Sequence, residues 1–147
     1  MGRLLALAAA LIAATLIAWI SARTPQPRGA DAPQTAFSAG RAMSDVRAIG
    51  SVPHPIGSAA NHAARDYLVQ RMGALGLAPE VHSGVGFGSR ERGGKLYISG
   101  GTVENLIGIL PGRDRTAPAL TLMAHYDSVP GSPGAADDAA GVAAMLG

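Results

Sequence analysis

The chain opens with an uninterrupted apolar segment. Residues 4–22 lie between Arg3 and Arg23, contain no charged side chain, and are mostly Leu, Ala and Ile, with Trp19 near the far end. Wound as an α-helix, this segment would be about 28 Å long, which is close to the thickness of the hydrocarbon core of a bilayer. The pattern predicts a membrane-spanning helix within residues 1–23 that stays attached to the chain as a signal anchor.

A cleaved secretory signal is the alternative interpretation of the same segment. Cleavage after Ala22 would place Ile20 at the position where the signal peptidase needs a small side chain. We therefore favour an uncleaved anchor, with secretion after cleavage as the alternative. The short tail before the apolar segment favours export of everything that follows, which predicts a single N-terminal span and an extracytoplasmic domain.

Polar and amphipathic patterns follow the apolar segment. Residues 24–36 contain three prolines among polar residues, which is typical of an extended linker. A helical pattern then begins after Ser38 and stops at Gly50, and a second one covers Asn61 to Leu75. Both patterns carry an apolar stripe on one face, so each helix is expected to pack against the body of a domain that begins at residue 37.

A loop with two prolines separates the two helical patterns. Each proline in Val52–Ser58 disfavours helix in the residue before it. His54 lies between these prolines with no carboxylate near it in sequence. It fits a residue that packs the loop better than it fits a metal ligand.

The second half of the chain has apolar and alternating segments that predict strands separated by glycines. A flexible turn is expected at residues 86–94, and the last strand is an apolar segment broken only by Thr121. An α/β fold follows from this order of elements. The predicted strands are residues 80–85, 95–99, 102–110 and 119–124.

Composition excludes some classes of function. The length of 147 residues allows one domain of ordinary size, and the net charge is only +2. The arginines are scattered without interleaved aromatic residues, so a nucleic-acid partner has no support. The absence of cysteine excludes disulfides and thiol chemistry.

One imidazole and three carboxylates follow the last predicted strand. His125 and Asp127 come directly after it, and Asp137 and Asp138 open a helical pattern beyond a Gly/Pro-rich loop. Carboxylates held close together repel one another unless a cation lies among them. Nitrogen and oxygen donors without a thiol suit zinc first, then manganese or cobalt.

The spacing gives these residues different roles. Strand alternation puts His125 and Asp127 on the same side, so Asp127 can orient the imidazole while Asp137 is free to be a direct ligand. The alternative is that the acidic pair only caps a helix. Capping would account for Asp137 or Asp138, but it leaves His125 and Asp127 unexplained.

Four motifs resemble one family, the co-catalytic zinc exopeptidases of the aminopeptidase Y type. H-Y-D-S at residues 125–128 and G-A-A-D-D-A-A-G at 134–141 resemble its metal-binding segment. N-L-I-G-I-L-P-G at 105–112 resembles the strand before that segment, and P-H-P-I-G-S at 53–58 resembles its membrane-bound branch. The resemblance implies a mixed β-sheet flanked by helices, of which this chain is the N-terminal part.

The resemblance also implies residue roles. In that family His125 binds one zinc, Asp127 is the catalytic aspartate that steadies it, and Asp137 bridges two zinc ions. The peptide between Asp137 and Asp138 is expected to be cis, with Asp138 as a supporting residue behind the ligands.

The implied activity is removal of the N-terminal residue from a peptide substrate by two zinc ions. Complete members of the family carry a Glu-Glu pair, an Asp and a His after this point, which supply the general base and the other ligands. Residues 37–147 are therefore expected to be a partial zinc aminopeptidase-like domain that is inactive alone. The alternatives are a membrane-anchored, non-catalytic binding domain of the same fold and a single-zinc enzyme that resembles the glutaminyl cyclases.

Overall fold

The computed structural model describes residues 2–147, so Met1, the first residue of the predicted anchor segment, lies outside the described residues. Helices and strands together make a mixed α/β chain, which confirms the predicted fold class. The elements, in order, are α1 (Gly2–Ser21), α2 (Ala39–Ile49), α3 (Ala59–Ala74), β1 (Glu80–Arg92), β2 (Lys95–Ile107), an irregular helical turn (Ala135–Ala139) and α4 (Ala140–Leu146).

Helix α1 covers the predicted membrane-spanning segment. None of its side chains is buried, and its length and composition are sufficient to cross a membrane. A helix that is apolar on all sides and has no protein surface against it is suited to lipid. Helix α1 therefore supports a membrane location for the chain.

The linker after α1 is only partly extended. Residues 29–36 form turns that are held against the start of α2. The Arg41 guanidinium and the Ser38 hydroxyl donate hydrogen bonds of 2.6–2.8 Å to backbone carbonyls of this segment, those of Gly29, Ala32 and Ala36. The composition of residues 24–36 predicts an extended linker throughout. Composition does not reveal that Ser38 and Arg41, further along the chain, donate hydrogen bonds to these carbonyls.

Helices α2 and α3 form where the sequence predicts them, because each has its own N-terminal cap. The hydroxyls of Ser38 and Ser58 accept hydrogen bonds of 3.1 Å from the amides of Arg41 and Asn61. Each cap satisfies a backbone donor that the helix cannot pair internally.

The core lies where α2, α3, α4 and the irregular turn meet. Gly50 ends α2 so close to the turn that a Cβ atom at this position would lie 2.8 Å from the Cα of Ala135. A glycine is therefore required for this contact. The buried residues of the core are Ile49, Ala64, Leu68, Ala139 and Val142.

Strands β1 and β2 form one long antiparallel hairpin, from the Glu80–Ile107 pair to the Arg92–Lys95 pair. The turn is Gly93–Gly94, and both residues have positive φ, as a two-residue hairpin turn of type I′ requires. The predicted flexible turn at residues 86–94 and the predicted break between two strands at Gly100–Gly101 are therefore wrong.

Glycine inside this hairpin makes room for a neighbour and does not end a strand. A Cβ atom at Gly100 would lie 2.5 Å from the ring of Phe87 on the paired strand. The sequence signal that resembled a break is thus the space into which the aromatic ring fits.

The predicted strand at residues 119–124 is also wrong. This segment is irregular, and Leu120 and Met123 are almost fully exposed. In residues 2–147 the only sheet is the two-stranded hairpin, so no strand lies beside this segment to pair with its backbone. An apolar run of this kind becomes a strand only when neighbours cover it.

Candidate metal centre

His125 and Asp137 come together although they are twelve positions apart. The Nε2 atom of His125 lies 3.0 Å from Oδ1 of Asp137. Zinc binds histidine nitrogen and carboxylate oxygen at about 2.0–2.2 Å in tetrahedral geometry, so two atoms that share one ion lie roughly 3.4 Å apart. The observed separation is that of a direct hydrogen bond, so a movement of a few tenths of an ångström would let both atoms bind a common metal ion.

The other ring nitrogen of His125 faces Asp127. Its Nδ1 atom lies 3.1 Å from the main-chain carbonyl oxygen of Asp127 and 3.5 Å from Oδ1 of the same residue. Because a carbonyl can only accept, the Nδ1 atom carries the proton and donates, which leaves Nε2 on the side of Asp137. Asp127 thus contacts the ring that it was predicted to orient, and the shorter contact is made by its carbonyl.

Asp127 and Asp137 both stabilise the protonated, positively charged form of the His125 imidazole. Desolvation by burial works against the charged ring. The hydrogen bonds to the Asp127 carbonyl and the Asp137 carboxylate outweigh it, so the pKa of His125 is raised. A metal ion at Nε2 would meet the Asp137 carboxylate.

Asp138 contacts the start of α4. Its Oδ1 accepts a hydrogen bond of 3.1 Å from the amide of Gly141 at the start of α4. A Cβ atom at Gly141 would clash with this carboxylate, so the contact depends on glycine. The Asp137–Asp138 peptide is cis, as the resemblance implies.

Asp137 is the most open member of the cluster. Its side chain is 92% exposed and that of His125 is 51% exposed. Within residues 2–147, no three side chains of His, Cys, Asp or Glu converge on one point. The described chain thus offers two ligand atoms, whereas a catalytic zinc usually has three protein ligands.

Tyr126 fastens the metal-binding segment to the rest of the chain. Its hydroxyl donates a hydrogen bond of 3.0 Å to the carbonyl of Glu104 on β2. The Glu104 carboxylate in turn receives two hydrogen bonds of 2.8 and 2.9 Å from Arg65 on α3. These contacts were not predicted from the sequence. The alternation that places His125 and Asp127 on one side would have placed Tyr126 on the other, toward the body.

His54 supports the same segment from behind. Its side chain is fully buried, and its Nδ1 atom donates to the carbonyl of Val52 at 2.8 Å. The His54 amide donates to the Ser128 hydroxyl at 2.8 Å, and the Ser128 amide donates back to the His54 carbonyl at 3.3 Å. His54 therefore packs the proline loop against the H-Y-D-S segment, as predicted.

Comparison with known proteins supports the resemblance that the motifs indicate. Residues 105–147 match the model of Peptidase family M28. No solved structure matches the chain.

Curated relatives match more of the chain. The Vacuolar membrane protease of Candida albicans is 39% identical over 103 residues, which are 70% of this chain and 12% of that protein. The protein of the same name from Scheffersomyces stipitis is 37% identical over 73% of this chain and 13% of its own length. That from Schizophyllum commune is 34% identical over 72% of this chain and 12% of its own length.

This chain therefore spans about one eighth of the length of the curated relatives it matches. Within that length, the matched family segment contains His125, Asp127 and Asp137. The chain is thus similar to vacuolar membrane proteases over most of its residues, and residues 105–147 match the model of Peptidase family M28.

Proposed function

We propose that this protein is a membrane-anchored zinc aminopeptidase and that residues 37–147 are the N-terminal part of its catalytic domain. The observation that carries the proposal is the 3.0 Å approach of the His125 Nε2 and Asp137 Oδ1 atoms at the end of the H-Y-D segment. The M28 match supports hydrolysis of peptide bonds. The zinc ions, their number and the preference for an N-terminal residue are our inference from the resemblance.

The residues of this chain would hold the metal and fix its position. When bound, zinc polarises the scissile carbonyl and activates a water molecule. His125 offers Nε2 because the Asp127 carbonyl holds the proton on Nδ1. Asp137 is 92% exposed, so its carboxylate would be accessible to the metal.

The general base and the remaining ligands are assigned to residues that follow this segment in the family pattern. The three glutamates of the chain already have other surroundings. Glu80 pairs with His82, Glu104 pairs with Arg65, and Glu91 lies near the hairpin turn, paired with Leu96 across the strands. We therefore assign the general base to none of these three glutamates.

The relatives and helix α1 support a membrane location for this activity. The relatives are named as membrane proteases, and α1 is suited to span a bilayer. In this proposal α1 crosses the membrane once and the peptide substrate is cleaved on the extracytoplasmic side. A non-catalytic domain of the same fold would have no use for a converged His125 and Asp137.

The proposal is tested on the protein expressed from its complete reading frame and purified in detergent. We expect two zinc ions per chain by elemental analysis and release of the N-terminal residue from unblocked peptides. His125→Ala and Asp137→Asn should each reduce the zinc content. Each should also lower kcat/KM by more than the roughly 10–100-fold loss that follows when a residue behind a metal ligand is replaced. His82→Ala is the matched control, because His82 is exposed and contacts only Glu80 among the described side chains.

Other results would contradict the proposal. Equal cleavage of peptides with a blocked N-terminus would exclude an aminopeptidase. One zinc ion together with cyclisation of N-terminal glutamine would establish the cyclase alternative. A folded protein that contains no zinc and cleaves no peptide would support the binding-domain alternative.

A further inference from the structure

The outer part of the hairpin has one apolar face. We define the distal hairpin as residues 85–92 of β1 and 95–102 of β2. In the observed register, paired residues point to the same face, and four large apolar side chains share one face here. They are Val85, Phe87, Leu96 and Ile98, which are 70%, 83%, 66% and 75% exposed.

The opposite face of the distal hairpin is cationic. Arg90 and Arg92 lie on it with Lys95, and the ring of Tyr97 lies opposite Arg90. All four side chains are exposed, and none of the three cations takes part in a salt bridge among residues 2–147. Glu91, the one acidic residue of the distal hairpin, is paired with Leu96 and lies on the apolar face near the turn.

The base of the hairpin is fixed while its outer part is free. Arg65 and Tyr126 both bind Glu104, near the inner end of β2. The apolar face of the distal hairpin has no cover within the described chain, since Val85, Phe87, Leu96 and Ile98 are all exposed. Contiguous exposed apolar surface of this kind marks an interaction site.

Residues 22–27, which we call the tether, join α1 to the rest of the chain. They limit how far the distal hairpin can be from a bilayer that α1 crosses. Gly40 donates to the Arg28 carbonyl, so the chain is held to α2 from Arg28 onward. Only residues 22–27 remain between α1 and that point, and they span at most about 20 Å. Thirteen residues in a strand measure about 43 Å, so the hairpin is longer than the tether.

We propose that the distal hairpin binds the surface of an anionic bilayer, the same bilayer that α1 crosses. The apolar face enters the interfacial layer, and the flexible side chains of Arg90, Arg92 and Lys95 extend to the phosphate groups of the lipids. Basic side chains near a negatively charged bilayer surface are attracted to it. An apolar face combined with a basic one is the pattern of elements that lie in the membrane interface. The proposal depends on α1 spanning the membrane, and it is independent of the peptidase activity.

The test uses the absence of cysteine from the chain. Phe87→Cys introduces one site for an environment-sensitive fluorophore on the apolar face, and Ile98→Cys repeats the test on the other strand. Ser99→Cys is the matched control, because Ser99 is exposed on the opposite face across from Gly88. Each labelled chain is reconstituted through α1 into vesicles of phosphatidylcholine, with or without phosphatidylglycerol, that contain a lipid-borne quencher.

We expect blue-shifted, quenched fluorescence from the labels at positions 87 and 98 in vesicles with phosphatidylglycerol, and water-like fluorescence from the label at 99. Replacing the three cations together, Arg90→Gln, Arg92→Gln and Lys95→Gln, should abolish the effect. Glu91→Gln should preserve or strengthen it.

Three results would overturn the proposal. Water-like labels at both apolar positions would show that the face stays in solvent. A shielded label that the lipid quencher does not reach would show that protein covers it. Equal quenching with and without phosphatidylglycerol would remove the role of the cationic face.

Discussion

At the scale of single residues, Asp45 is a carboxylate buried between two helices. It is 1% exposed on α2, and its Oδ1 accepts hydrogen bonds from the Tyr67 hydroxyl and, at 3.1 Å, from Nε of Arg71, both on α3. Its other oxygen has no partner among the described residues. A buried carboxylate is tolerated only with such donors, so this cluster fixes α2 to α3 in one arrangement.

The Tyr67 hydroxyl makes the stability of this cluster sensitive to alkaline pH. Burial, and then the hydrogen bond and negative charge of Asp45, raise the pKa of Tyr67 from 10.0 to about 12. A raised tyrosine pKa means that the folded state favours the neutral phenol. Its contribution to stability is therefore complete below pH 10 and is lost as the pH rises through 12. We expect the free energy of unfolding to fall across this interval.

Tyr67→Phe should remove that part of the pH dependence. At neutral pH it should also destabilise the chain by about 1–3 kcal/mol, because Asp45 loses a donor while it stays buried. Denaturant unfolding in detergent, followed by circular dichroism between pH 7 and 12, measures both effects. Tyr97→Phe is the control, since Tyr97 is exposed on the hairpin. A Tyr67→Phe chain with the alkaline profile of the unmodified chain would refute the assignment.

At the scale of elements, the sequence predicts what is decided locally. Helices α2 and α3 were predicted correctly because Ser38, Gly50 and the apolar stripes lie within the helices themselves. The hairpin was only partly predicted, because the role of Gly100 depends on Phe87 across the sheet. Residues 119–124 have the pattern of a buried strand, but that pattern does not supply a neighbouring strand.

The same distinction applies to the candidate site. The motif predicts that His125 and Asp137 lie close together. In the structure, Nε2 of His125 and Oδ1 of Asp137 are 3.0 Å apart. The closer contact of the His125 ring with the carbonyl of Asp127 depends on the backbone conformation after residue 124, which spacing does not determine. The different partners of Asp137 and Asp138, His125 and the Gly141 amide, likewise depend on the local turn.

The start of α4 separates the roles of these two neighbouring carboxylates. Asp138 caps the Gly141 amide, whereas Asp137 is exposed and contacts His125. Asp138→Ala should therefore remove about 1 kcal/mol of local stability and speed exchange of the Gly141 amide hydrogen roughly fivefold. Asp137→Ala should leave this exchange unchanged. Hydrogen exchange followed by NMR measures it, with Asp138→Asn as a control that keeps an oxygen acceptor. Faster exchange in Asp137→Ala alone would reverse the assignment.

At the scale of the whole molecule, the end of α1 is suited to the membrane interface. The guanidinium of Arg23 lies 3.9 Å from the centre of the Trp19 ring. A tryptophan and a cation stacked together combine an apolar ring with a charge that prefers the headgroups. The proposed anchor and the short tether both depend on this end of the helix remaining joined to the rest of the chain.

We expect Ile20 to prevent cleavage after Ala22 and so to keep α1 attached to the rest of the chain. A cut after Ala22 would require a small side chain at position 20, and the branched side chain of Ile20 blocks it. We expect the chain isolated from membranes to retain residues 1–22. Ile20→Ala should create an Ala-Ser-Ala site and release a protein that begins at Arg23, detected by intact mass and by its move to the soluble fraction. Leu16→Ala is the matched control, because it removes similar apolar surface without creating a cleavage site. Release of the unmodified chain after cleavage would instead establish the secreted form and remove the tether on which the hairpin's access to the bilayer depends.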